Sequence, residues 1–126
     1  MRPRKVILLA DDIESSMGIT KFMLETRGHF QVLTARNIHG LFEVLRTIRV
    51  DLVMIAFADQ DCNALSADIK AHWPDTRVVI HGGALQRYDT SSCVADLIMQ
   101  ESAPIEIIEI AKKQTARRRG PRKAAA

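Results

Sequence analysis

Cysteine is scarce in this sequence: Cys62 and Cys93 are the only two in 126 residues, and neither has a histidine or a second cysteine at ligand spacing. That argues against a disulfide framework and a structural zinc site, and leaves both as small core or half-buried residues. Long apolar runs are missing too, since none approaches the roughly 18 residues that a membrane-crossing helix needs. The opening Met1-Arg2-Pro3-Arg4-Lys5 leads into only Val6 to Ala10 before two aspartates, a core too short for a secretory signal. A cytoplasmic location without membrane contact is expected. Also absent are a G-x-x-x-x-G-K loop and a dinucleotide fingerprint, so the Gly82-Gly83 pair is not expected to cradle phosphate.

What is present suits one globular core. Apolar residues at 47% and charged residues at 26% are ordinary proportions, and 126 residues fill a single domain. Charge is informative once divided. From Lys112 onward there are seven basic residues (Lys112, Lys113, Arg117, Arg118, Arg119, Arg122 and Lys123) and no acid, a balance of +7. Removing those seven from the total of 18 leaves 11 basic against 15 acidic groups in residues 1–111, a balance of −4. The net positive charge thus belongs to the carboxyl-terminal stretch.

Val6-Ile7-Leu8-Leu9-Ala10 is an unbroken apolar run ending in Asp11-Asp12, the pattern of a strand buried on both faces. Ile19, Phe22, Met23 and Thr26 then recur at helical spacing, and Arg27-Gly28 reads as a basic last turn with a glycine stop. Phe30 to Thr34 forms a second strand, and Asn37 caps a helix striped by Ile38, Leu41, Phe42, Leu45 and Ile48. Leu52 to Phe57 is a third strand, and Leu65, Ile69 and Trp73 mark a helix that Pro74 ends. Arg77 to His81 is a fourth strand and Ala95 to Met99 a fifth, with a turn at 89–92 between them. Pro104 opens a last helix through Ile107, Ile108 and Ala111.

Strands alternating with helices predict a parallel sheet covered on both faces, a three-layer α/β/α sandwich. Functional groups in such sheets gather beyond the carboxyl ends of the strands. Here those places are Asp11-Asp12, Thr34-Ala35, Ala56 to Asp59, His81 to Ala84, and Gln100-Glu101.

At these places the sequence resembles the receiver domains of bacterial two-component response regulators, from Lys5 to about Lys113. KVILLADD matches the family's first strand with its acidic pair, and DLVMIA its third strand, with Ala56 standing 44 residues after Asp12. VVIHGGA is similar to the fourth-strand motif, and VADLIMQESAPIEII to the fifth strand and the entry to the last helix. The resemblance implies a flavodoxin-like five-stranded sheet of order 2-1-3-4-5. It also implies a receiver-like domain over residues 1–113, followed by a basic tail or linker over 114–126.

The family's chemistry needs side chains that are missing here. An aspartate ending the third strand takes up the phosphoryl group as a carboxylate nucleophile, and this sequence has Ala56 there. The hydroxyl residue ending the fourth strand and the lysine after the fifth, which stabilise the phosphoryl charge, are replaced by Gly83 and Gln100. The aromatic residue that moves on activation in many receivers maps to Leu97. Of the Mg²⁺ ligands the acidic pair remains, so Asp11 and Asp12, with the carbonyl of Ala58, imply at most a weak residual Mg²⁺ site and otherwise no cofactor. Asp59 and Asp61 lie three and five positions beyond Ala56, but the missing hydroxyl and lysine argue against either as a replacement nucleophile. His81 reads as structural, and His29, His39 and His72 share no metal-ligand spacing. The 17 residues from Gly83 to Gln100 fall short of the family's usual segment by about a turn and a half of helix, so the helix between the fourth and fifth strands is expected to be short or irregular.

The expectation is a non-enzymatic pseudo-receiver, a phosphorylation-independent interaction module in two-component-type signalling. Its partner would be another signalling protein or a second copy of the chain. The alternative is a nucleic-acid-associated regulator that contacts phosphates weakly through the seven cations from Lys112 to Lys123, with the body as a dimerisation platform. That stretch has no aromatic residue for stacking on bases. An enzyme on this scaffold ranks last, because no strand end brings a nucleophile and a base together.

Overall fold

The computed structural model describes residues 4–12, 14–57, 62–81, 97–99 and 104–116. In chain order the elements are β1 (Val6–Ala10), α1 (Glu14–Thr26), β2 (Gln31–Ala35), α2 (Ile38–Thr47), β3 (Leu52–Ile55), α3 (Cys62–His72), β4 (Arg77–His81), β5 (Leu97–Met99) and α4 (Pro104–Thr115). The five strands are parallel and lie in the order β2-β1-β3-β4-β5, as expected. The segment between β4 and β5, where a short or irregular helix and the turn at 89–92 were expected, lies outside the described residues.

The continuous apolar runs arise because helices cover both faces of the sheet. Alternate residues of each strand serve opposite layers, following the two-residue period of a pleated chain. Leu8, Ala10, Val53, Ile55, Val78 and Ile80 join Leu41 and Leu45 of α2 and Leu65 and Ile69 of α3 in one buried cluster. Ile7, Leu9, Leu52, Met54 and Val79 join Met17 and Leu24 of α1 and Ile107, Ile108 and Ala111 of α4 in the other. Each fully buried Leu or Ile contributes roughly 1.5–3 kcal/mol of transfer free energy, so the two clusters dominate the favourable side of folding.

Helix α2 follows its sequence signals closely. The Asn37 side chain accepts a hydrogen bond from the Gly40 N–H at 2.8 Å, and the stripe buries Leu41 and Leu45 with Ile38 and Phe42 half-buried. Ile48, the last residue of the expected stripe, instead caps the helix and is exposed. Trp73, just beyond α3, packs its ring against Phe42 at 5.9 Å between centroids.

Helix α1 departs from the expectation in two ways. Of the periodic residues Met23 alone packs against the core, half-buried: Ile19 is 60% and Phe22 63% exposed, and Thr26 is exposed as well. Met17 and Leu24, seven residues apart, make the helix's core face, with Thr20 and Lys21 half-buried between them. These polar positions interrupt the apolar pattern that a sequence reading follows. The helix also ends at Thr26, so Arg27 falls past its last turn. The left-handed residue is His29, at φ 59°, and not Gly28. Gly28 is needed for space, because a Cβ there would stand 2.6 Å from the Phe30 ring and 2.9 Å from the Leu24 carbonyl oxygen. The N–H groups of Gly28 and Phe30 both donate to that carbonyl, at 3.1 and 3.2 Å.

Candidate functional site

Parallel register brings the carboxyl ends of the strands to one edge of the sheet. Ala10 stands opposite Ala35 and Ile55, Ile55 opposite Ile80, and His81 opposite Met99. Main-chain hydrogen bonds carry this order one residue further: the Ala56 N–H donates to the Ala10 carbonyl at 2.8 Å, and the Asp11 N–H to the Ala35 carbonyl at 3.1 Å. Asp11 and Ala56 are therefore held on adjacent strands by the backbone, independently of their side chains. Asp11 and Ala56 are half-buried and Asp12 is exposed.

The next residue, Phe57, is buried in the layer of α2 and α3, and its carbonyl lies 3.5 Å from the Cys62 thiol, which donates to it. Cys62 opens α3 and is itself fully buried, while the Ser66 hydroxyl donates to the Cys62 carbonyl at 2.8 Å. Apolar packing and these two bonds anchor the chain at Phe57 and at the start of α3. Ala56 is thus held at the strand end by backbone hydrogen bonding and by the burial of the residue that follows it.

A methyl group has neither lone pair nor charge, so the side chain at position 56 offers no nucleophile and no metal ligand. Mg²⁺ takes about six oxygen ligands in near-octahedral order. At this edge the described residues bring the neighbouring carboxylates of Asp11 and Asp12. Among the described residues no three of His, Cys, Asp or Glu are grouped to hold a metal ion. Two neighbouring carboxylates would supply a minority of that shell, with water taking the other positions.

The remaining expected residues are dispersed or lie elsewhere. His29 and His39 are exposed, on the loop after α1 and on α2. His72 ends α3, with Nδ1 3.0 Å from the Asp68 carbonyl oxygen and its ring 5.6 Å from that of Trp73. His81 ends β4 and Leu97 opens β5. Ala58, Asp59, Asp61, Gly83, Cys93 and Gln100 lie outside the described residues, as do Arg117, Arg118, Arg119, Arg122 and Lys123. Lys112 and Lys113 are exposed on α4, which runs to the buried Thr115.

One grouping escaped the sequence reading. Arg4, Lys5 and Arg49 meet Lys112 around a cavity at the opposite edge of the sheet. The available signal was topological: in a parallel sheet, residues that precede the strands all come to one edge.

No protein-family model matches the sequence, and no curated protein is significantly similar to it. Solved structures do match. A response regulator from Thermotoga maritima is 22% identical, with 90% of this chain and 98% of that one covered and a TM-score of 0.77. A CheY-like receiver domain protein from Methanospirillum hungatei is 19% identical over 90% and 94% of the two chains, with a TM-score of 0.78. An orphan response regulator from H. pylori is 15% identical over 90% and 100%, with a TM-score of 0.75. At these identities the shared property is the fold: this chain has the flavodoxin-like architecture of receiver domains.

Proposed function

We propose that the chain is a receiver-like module of two-component-type signal transduction that works without an aspartyl phosphate at the third-strand position, as an interaction module and not as an enzyme. The observation that carries this reading is the methyl group of Ala56, held by the backbone beside Asp11 at the edge where the fold collects its functional groups. The likeness to receiver domains supports the signalling context, and Gly83 and Gln100 in the sequence support the loss of phosphoryl chemistry. Asp11 and Asp12 then retain at most a weak, largely hydrated association with Mg²⁺.

Without a covalent mark, the input must be a partner, a ligand or the concentration of the protein itself, and it acts only as far as it prefers one conformation. Another signalling protein or a second copy of the chain fits that role. Beryllofluoride with Mg²⁺, which mimics a phosphoryl group on a carboxylate, tests the reading. The thermal midpoint is expected to be the same with and without it, whereas a saturable rise would reveal a working acceptor and overturn the proposal.

A further inference from the structure

Parallel strands all begin at one edge of the sheet, opposite to the edge of Asp11 and Ala56. There the residues ahead of β1 and β3, the loop after α1 and the end of α4 surround a cavity of about 850 Å³, with Arg4, Lys5, Arg49 and Lys112 in its wall. Arg4, Arg49 and Lys112 are exposed and Lys5 is half-buried, and none of the four is paired with a carboxylate among the described residues. The one acid in the wall is Asp51, whose Oδ2 accepts the Val6 N–H at 2.8 Å and so is engaged in closing the start of β1. Like charges gathered without counter-charge repel one another, and an anion set between them replaces that repulsion with attraction.

Backbone pairing fixes the wall. The Lys5 carbonyl accepts the Gln31 N–H and the Val6 carbonyl accepts the Asp51 N–H, each at 2.9 Å, so the starts of β2, β1 and β3 are tied together around the cavity. The positive region is also bounded. Asp75, ahead of β4 and so next to β3, and Glu109, three residues before Lys112 on α4, are both exposed acids. A nucleic-acid strand needs a basic track that continues past one site, whereas cations grouped around a single concavity and flanked by acids suit a compact anion. The volume falls in the roughly 300–1,000 Å³ range of small-molecule sites. Four cations call for more than one negative charge, and phosphate groups, with several acceptor oxygens each, match guanidinium and ammonium donors. We propose that this cavity binds a compact polyphosphate group, such as the di- or triphosphate of a small molecule, with Arg4, Lys5, Arg49 and Lys112 as the cations that hold it.

This inference goes beyond the reading of Ala56 and is tested apart from it, at the other edge of the sheet. Sodium tripolyphosphate is titrated into the full chain by calorimetry in metal-free buffer at low, matched ionic strength, beside ATP, sulfate and a mixed-sequence DNA duplex. Two full-length variants are measured with it, each checked by thermal melting: Arg49→Ala/Lys112→Ala, and one in which Arg117, Arg118, Arg119, Arg122 and Lys123 are replaced by serine. Tripolyphosphate is expected to bind at one site per chain and to raise the thermal midpoint saturably. The double variant should bind roughly tenfold more weakly, and the serine variant about as tightly as the original chain. Tighter binding of ATP than of tripolyphosphate would assign the ligand to the nucleotides, and equal affinity would assign it to the polyphosphate chain alone. Sulfate matching tripolyphosphate would overturn the proposal, since charge screening would then account for the effect. So would tripolyphosphate binding that is lost in the serine variant and kept in the double variant, or a duplex that binds where tripolyphosphate does not.

Discussion

Ala56 shows how far one side chain separates architecture from chemistry. The hydrogen bonds that place it involve only backbone, so a carboxylate introduced there would take the same position beside Asp11. Ala56→Asp is expected to crowd three acids and lower the thermal midpoint by several degrees in chelator, through like-charge repulsion. Added Mg²⁺ should restore the loss, because an ion that binds the folded state alone stabilises it by mass action. The original chain should show no such Mg²⁺ dependence; melts in EDTA and in MgCl₂ check both. Thr76 provides a purely structural contrast. Its buried hydroxyl donates to the Val50 carbonyl at 3.0 Å, so Thr76→Val leaves that acceptor without its partner and should cost about 1–3 kcal/mol in urea unfolding.

Among the elements, α1 separates what the sequence displays from what the fold uses. Ile19→Gln/Phe22→Gln is expected to change stability by less than about 1 kcal/mol, whereas Leu24→Ala at a fully buried position should cost roughly 2–5 kcal/mol. Urea midpoints of the two variants decide which face is the core. The turn that follows gives a second pair. Gly28→Ala forces a methyl group against the Phe30 ring and should cost about 1–3 kcal/mol, while His29→Gly relieves a left-handed residue and should be neutral or stabilising. β1, β3 and α2 were legible in the sequence because burial on both faces, or on one unbroken stripe, leaves a pattern that nothing interrupts. The inward face of α1 was not, since Thr20 and Lys21 lie between Met17 and Leu24 while Ile19 and Phe22 advertise the opposite side. The acidic pair and Ala56 were legible as strand-end positions. The basic cavity was not, because its members, Arg4, Lys5, Arg49 and Lys112, are far apart in the chain and only the parallel topology assembles them.

At the scale of the whole molecule, the sheet separates two edges of opposite character. Among the described residues Asp11 and Asp12 stand at one, and Arg4, Lys5, Arg49 and Lys112 line a cavity at the other. The central claim is that the fold of a phosphorylation switch is kept here without its covalent step. Incubation of the full chain with acetyl phosphate and Mg²⁺, followed by intact mass spectrometry, tests it most directly. The account predicts an unchanged mass. A stoichiometric gain of one phosphoryl group, lost on mild base as acyl phosphates are, would contradict it.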